Sequence, residues 1–111
     1  MHPVASVVRS IAKASFWLRG LASITDIPTD QLNEIIRGLI SDGWEKYYEY
    51  EGFDAWIDYG CVKLRRERVR LKFEWDNWTE GSIEGRSQYV RGIAVDHGLE
   101  VRRYWTWSIW D

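Results

Sequence analysis

Cysteine and histidine are scarce in this sequence, and their scarcity limits the chemistry it can support. The 111 residues include one cysteine, Cys61, and two histidines, His2 and His97. One cysteine excludes an intramolecular disulfide, and no CxxC or HxxxH spacing is present to hold zinc. A catalytic pair would need Cys61 beside a histidine, but Cys61 falls within a predicted strand and His97 in the last turn of a predicted helix. We therefore expect no catalytic residue, no metal and no cofactor.

The sequence also lacks a long apolar run and a strong net charge. The apolar stretch at residues 4–8 is too short, and too soon followed by Arg9, to be a secretory or membrane-spanning segment. The formal net charge of −2 argues against a protein that holds nucleic acid or an acidic membrane by bulk electrostatics. With a single cysteine and no signal peptide, we expect a cytoplasmic protein and no membrane partner.

Aromatic residues, by contrast, are abundant, with eight Trp and six Tyr. Large rings supply buried area to a small core, and Trp and Tyr also favour binding surfaces, so composition alone does not decide between these uses. The chain is long enough for one core and too short for two. Because no repeat, linker or low-complexity segment divides it, we expect a single domain over residues 1–111.

Three segments show the 3.6-residue apolar period of amphipathic helices. The first covers about residues 4–18. The second begins after a cap at Thr29 or Thr25 and ends at Gly43. The third covers about residues 86–97, with Gly98 as its C-cap. The apolar face of the second helix consists of Leu32, Ile35, Ile36, Leu39 and Ile40.

From Trp44 onward the apolar period changes to two, which indicates strands. The apolar sides of the four predicted strands are Tyr48 and Tyr50; Phe53, Ala55, Ile57 and Tyr59; Val69, Leu71, Phe73 and Trp75; and Leu99, Val101, Trp105, Trp107 and Ile109. Turns at residues 51–52 and 65–67 connect the first three strands. At Gly60 the apolar phase shifts by one residue, which predicts a bulge.

The predicted order is therefore α-α-β-β-β-α-β, and the fold class is α+β. Three strands form an antiparallel meander, and a C-terminal strand joins them after a helical crossover. The helices are expected to pack on one face of this sheet.

The segment that follows the third strand, residues 76–84, combines tryptophan, acids and glycines in a predicted loop. Its candidate partner-binding residues are Asp76, Trp78, Glu80 and Glu84. An exposed ring flanked by carboxylates suits a cationic protein partner, because the ring accepts a guanidinium and the acids pair with it. The alternative, that Trp78 folds back over the core, stays open. The loop matches only part of an EF-hand, since Trp78 and Ser87 replace two of its ligands.

Two further groups of charged residues have more than one interpretation. The basic group consists of Arg65, Arg68, Arg70 and Lys72. It could hold the phosphates of a nucleic acid, or it could be a solvated face that keeps the sheet soluble. The acidic group, Asp54, Asp58 and Asp76, could serve acid/base catalysis in a hydrolase, or form a charge ladder on a solvated sheet. We favour the structural interpretation of both groups.

Residues 20–50 resemble the winged helix-turn-helix. The stretches LASITDIPTDQL and IIRGLISDGW match a short helix, a turn, a capped helix with regular apolar spacing, and a glycine before the wing. The resemblance implies nucleic-acid binding, with residues 30–41 as recognition helix and residues 65–70 as wing. Asp30, Glu34 and Asp42 make the exposed side of that helix acidic, which disfavours contact with phosphates.

The sequence thus predicts a small, non-catalytic, cytosolic module that binds a protein partner through residues 76–84. A winged-helix-like nucleic-acid-binding regulator is the alternative. Homodimerisation through an aromatic terminal strand at a sheet edge also stays open.

Overall fold

The computed structural model describes residues 20–53 and 55–105. The predicted first helix, at residues 4–18, and the end of the predicted last strand lie outside the described residues. The elements in chain order are β1 (Leu21–Ile27), α1 (Thr29–Ser41), β2 (Glu45–Glu49), β3 (Tyr59–Arg66), β4 (Val69–Asp76), β5 (Glu80–Arg86), α2 (Ser87–His97) and β6 (Arg103–Trp105).

All six strands form one antiparallel sheet in the order β2-β3-β4-β5-β1-β6. Strands β2 to β5 are a meander, whereas β1 lies between β5 and β6. Leu21 accordingly pairs with Arg86 on one side and with Trp105 on the other. The α+β class is confirmed, but the predicted order is wrong, since the described part reads β-α-β-β-β-β-α-β.

One hydrophobic cluster holds the helices against the sheet. Cross-strand partners share a face of a sheet, so the register places Ile24, Ile83, Phe73 and Val62 in one buried row. Helix α1 adds Leu32, Ile35 and Ile36, and helix α2 adds Val90, Ile93 and Ala94. The predictions for these two helices are confirmed, with Gly43 and Gly98 at positive φ after their C-terminal ends. Within the described residues, no helix is long and apolar enough to cross a membrane.

The segment Leu21–Ile27 is strand β1, although the helix-turn-helix resemblance requires a short helix there. Ala22 and Ile24 point into the core at a period of two, and both are buried. The helix-turn-helix interpretation of this segment is therefore wrong. The predicted threonine cap is also wrong, because Pro28 occupies the N-cap of α1 and its carbonyl accepts the first helical hydrogen bond, from Leu32 N (2.9 Å).

The predicted second strand at residues 53–59 is wrong over most of its length, since β3 begins only at Tyr59. Phe53 and Ile57, which should face the core, are 99% and 66% exposed. The predicted bulge at Gly60 is also wrong, because the pairing of β3 with β4 continues through Gly60 in register. The apolar phase shifts there because Cys61 is buried on the face opposite to Val62.

The predicted loop at residues 76–84 is a short turn at 77–79 followed by strand β5. The buried face of β5 consists of Gly81, Ile83 and Gly85. The residues between them, Ser82 and Glu84, are half-buried on the other face. Because two of these three inward positions are glycines, the strand carries little apolar signal in the sequence. The last strand begins later than predicted, at Arg103 and not at Leu99, and pairs with β1 over Arg103–Trp105 in the described part of the chain.

Candidate functional site

The loop between β2 and β3 and the turn between β4 and β5 lie at the same end of the sheet. Asp76, at the end of β4, pairs with Tyr59 at the start of β3 and with Glu80 at the start of β5. The loop and the turn therefore leave the sheet at the same end. A hydrogen bond from Asn77 Nδ2 to Asp58 Oδ1 (2.5 Å) ties the turn to the loop. We call residues 50–53, 55–58 and 76–80 the tip.

Asp76 organises the turn that carries Trp78. Its Oδ1 accepts hydrogen bonds from the backbone N–H groups of Trp78 (2.8 Å) and Thr79 (2.7 Å), and its Oδ2 accepts one from the Thr79 hydroxyl (2.8 Å). These hydrogen bonds lower the pKa of Asp76. The largest effect comes from the Thr79 N–H, followed by the Thr79 hydroxyl and then the Trp78 N–H. The carboxylate of Asp76 is thus occupied within the turn, where it fixes the backbone of Trp78.

Three large apolar side chains of the tip are exposed to solvent. Trp78 is 81% exposed, and it joins Phe53 and Ile57 at this end of the molecule. Of the two interpretations of Trp78, the structure shows the exposed one. Large exposed apolar groups that lie close together mark interaction surfaces in soluble proteins, and tryptophan is enriched among residues that dominate binding energy.

The charge of the tip is uniformly negative. The sequence has no lysine or arginine at residues 50–59 or 73–85. Glu51, Asp58 and Glu80 are exposed carboxylates of the tip. A surface that combines exposed rings with carboxylates favours a partner with arginine or lysine beside apolar side chains.

Glu84, predicted to act with Trp78, lies apart from the tip. It is on β5, opposite Lys72 of β4, and its Oε1 is 3.9 Å from Lys72 Nζ. Lys72 Nζ is also 3.2 Å from Glu74 Oε1. Partial burial acts to lower the pKa of Lys72, but these two carboxylates outweigh it and raise that pKa. Glu84 and Lys72 therefore compensate each other's charge in the middle of the sheet.

The rest of the predicted basic group lies at the other end of the β3–β4 hairpin. Arg65 binds Glu45 through Nη2 (2.6 Å) and Nε (3.0 Å). The guanidinium carbons of Arg65 and Arg70 lie 5.4 and 5.6 Å from the ring centroid of Tyr47. Arg68 is exposed in the connecting turn. Strand β4 thus separates a basic end from the acidic tip.

Cys61, Asp58 and Asp76, which the sequence suggested as candidates for catalysis, are each buried or hydrogen-bonded within the fold, as is the neighbouring Tyr59. Burial raises the pKa of the Cys61 thiol, and a thiol that stays protonated is a poor nucleophile. Burial, followed by a hydrogen bond to Glu74 Oε2 (2.7 Å), raises the pKa of Tyr59. Asp58 and Asp76 both accept hydrogen bonds within the tip, and Asp54 lies outside the described residues.

Comparison with protein-family models, with curated proteins and with solved structures finds no match for the chain. By its own features the described part of the chain is an α+β domain with an acidic tip and an exposed tryptophan.

We expect the carboxyl group of Asp76 to titrate below its ordinary value of 3.8, and Thr79→Val to move its pKa back upward. A lowered folded-state pKa means that the carboxylate stabilises the turn above the unfolded-state pKa. That stabilisation is lost as the pH falls through the folded-state pKa. Carboxyl-carbon NMR titration measures the midpoint.

The matched control for this titration is Thr25→Val, since the Thr25 hydroxyl donates to Asp26 and not to Asp76. It should leave the Asp76 midpoint unchanged. An Asp76 midpoint that is the same in the wild type and in Thr79→Val would contradict the assigned role of the hydroxyl.

Proposed function

We propose that the protein is a non-catalytic, cytosolic interaction module that binds a basic segment of a partner protein through the tip. The observation that carries the proposal is the exposure of Trp78 on a turn that Asp76 holds in place. An indole presented on an ordered turn loses little conformational freedom on binding, so more of its contact energy contributes to affinity. Phe53 and Ile57 are two further exposed apolar side chains of the tip that a partner can contact.

The acidic residues of the tip supply selectivity in this proposal. Glu80 is two residues after Trp78, at the start of β5, and its exposed carboxylate can pair with an arginine whose guanidinium stacks on the indole. A partner with acidic flanks would be repelled, because the tip offers no lysine or arginine to receive it. Affinity should therefore fall as salt is added.

The test is quantitative affinity capture from a cell extract, with the wild type beside Trp78→Ala, Glu80→Lys and Val95→Ala. Loss of an interface tryptophan typically weakens binding by about 2 kcal/mol or more, which is roughly 30-fold. We expect Trp78→Ala and Glu80→Lys to lose the same captured proteins. The control Val95→Ala shortens another exposed apolar side chain, on α2, and should retain these proteins.

Fold integrity is checked by circular dichroism of each variant before capture. If folded Trp78→Ala and folded Glu80→Lys retain every protein that the wild type captures, the proposal is wrong. If the captured proteins depend on Trp78 but are acidic at their binding segments, the charge argument is wrong and only the apolar part survives.

Nucleic-acid binding by the basic residues has weaker support. Arg65 is already paired with Glu45, and Lys72 lies between Glu74 and Glu84. Only Arg68 and Arg70 of the predicted group lack a carboxylate partner among the described residues. Gel shifts at several salt concentrations test this alternative, since binding through phosphates weakens steeply with salt.

A further inference from the structure

A cavity of about 450 Å³ lies between α1 and the edge of the sheet formed by β2 and β3. It adjoins the tip through Trp56, but none of the three exposed apolar side chains of the tip, Phe53, Ile57 and Trp78, lines it. Helix α1 contributes Asn33 and Arg37, and β2 contributes Lys46 and Glu49. Its volume is within the range of small-molecule sites in proteins, roughly 300 to 1,000 Å³.

Two stacked indoles form one wall of this cavity. The rings of Trp56 and Trp75 have centroids 6.4 Å apart and planes 26° apart. Trp56 has φ +59°, which a bulky residue rarely adopts. Flat aromatic walls of this kind favour a planar ligand, because ring faces make extended contact with one another.

One cationic donor of the cavity has no anionic partner among the described residues. Arg37 has no carboxylate within 4.0 Å across residues 20–53 and 55–105, and its side chain lines the cavity. Trp75 contributes its ring to the wall, whereas its Nε1 is buried, with almost no accessible surface, and donates to no acceptor in the described part of the chain. The Arg37 guanidinium is therefore the group that can receive an anion.

The remaining charged groups of the cavity already satisfy each other. Lys46 Nζ lies 2.6 Å from Glu49 Oε1, and Trp56 Nε1 donates to Glu49 Oε2 at 3.3 Å. The hydrogen bond from Lys46 is the largest cause that lowers the pKa of Glu49, so this carboxylate stays ionised beside its cation. What the cavity lacks is an anionic acceptor for Arg37.

We propose that this cavity binds a small planar aromatic carboxylate. The ring of the ligand lies against Trp56 and Trp75. Its carboxylate accepts hydrogen bonds from the Arg37 guanidinium, whose fork matches the two oxygens. Glu49 is neutralised by Lys46 and therefore does not exclude the anion.

The test is titration of the full chain with 2-naphthoate and, in parallel, with its neutral analogue 2-naphthamide. Dissociation constants come from isothermal titration calorimetry. The indole N–H resonance of Trp75 is followed by NMR and assigned through Trp75→Phe. We expect 2-naphthoate to bind at least tenfold more tightly than 2-naphthamide and to shift that resonance.

Arg37→Gln should weaken 2-naphthoate by about tenfold or more and remove the preference for the acid over the amide. Arg37 is exposed on α1, so the variant should keep the fold. The matched control Arg68→Gln removes the same charge from the β3–β4 turn and should leave the dissociation constant unchanged. Trp78→Ala should also leave it unchanged, which separates this site from the tip.

Three results would overturn the proposal. The first is that 2-naphthoate does not bind up to its solubility limit. The second is that the acid and the amide bind with equal affinity. The third is that Arg37→Gln and Arg68→Gln weaken binding of 2-naphthoate to the same extent. If Trp75→Phe does not fold, the comparison between Arg37→Gln and Arg68→Gln still decides the outcome.

Discussion

Phe73→Ala is expected to lower the free energy of unfolding by about 3–5 kcal/mol, the usual loss for a fully buried phenylalanine. Phe73 is 0% exposed and is among the largest fully buried side chains of the described residues. It lies on the central strand β4, between Val62 of β3 and Ile83 of β5. Truncation would leave a cavity that fixed strands on both sides cannot close, so the loss should be near the upper end of the range.

Equilibrium unfolding in urea measures this loss. The control is Val95→Ala, which also shortens an apolar side chain but at a position that is 71% exposed on α2. Its effect should be within about 0.5 kcal/mol. A loss below about 1 kcal/mol for Phe73→Ala would mean that the row of buried residues on β3, β4 and β5 is not packed as described.

Gly81→Ala and Gly85→Ala should each destabilise the fold by about 1–3 kcal/mol, because each adds a methyl group to a space that is already filled. A Cβ atom at Gly85 would lie 2.7 Å from the Arg70 carbonyl oxygen and 2.6 Å from Leu71 Cδ2. A Cβ atom at Gly81 would lie 2.8 Å from the Ile27 carbonyl oxygen. Backbone atoms cannot move aside as a flexible side chain does, so the strands themselves must shift.

The same substitution at Gly92 is the matched control, and its expected effect has the opposite sign. Gly92 is inside α2, and a Cβ atom there would have no neighbour within 4 Å. Alanine is more favourable than glycine inside a helix by about 0.5–1 kcal/mol, so Gly92→Ala should stabilise the protein. Urea unfolding of the three variants checks both signs, and destabilisation by all three to the same extent would contradict the steric argument.

The two helices and the central strand β4 can be predicted from the sequence because their apolar residues recur at the regular spacing of a helix or of a strand. In α1 the buried residues Leu32, Ile35 and Ile36 repeat at helical spacing, and a glycine follows the end. In β4 the buried residues Leu71 and Phe73 alternate with charged ones. Such elements face water on one side and the core on the other. Under this condition the spacing of apolar residues in the sequence indicates which side chains are buried.

Strands β1 and β5 could not be predicted because their burial does not produce that pattern. In β1, Ala22, Ser23 and Ile24 are all buried in succession, so no alternation marks it as a strand. In β5, Gly81 and Gly85 occupy inward positions where the neighbouring chain fills the space. The requirement for glycine comes from atoms far away in the sequence.

The candidate site was predictable only in part. Trp78 stands out because it lies beyond the end of a regular strand and between polar residues. Phe53 and Ile57 alternate with polar residues as strand residues would, so the sequence suggested burial instead of exposure. Trp56 lies in a turn at positive φ, and nothing in its identity indicates that conformation.

The place of β1 in the sheet also bears on the rate at which the protein folds. Strands β2 to β5 follow one another through short connections, so their pairing needs little ordering of the intervening chain. Leu21, by contrast, can pair only after Arg86 is in position, and the meander and α1 lie between them in sequence. Closing a loop of that length is entropically unfavourable until the meander exists to receive the strand. Folding should therefore begin in the meander, and the addition of β1 should be the rate-limiting step. The folding rate then depends more on this topology than on the length of the chain.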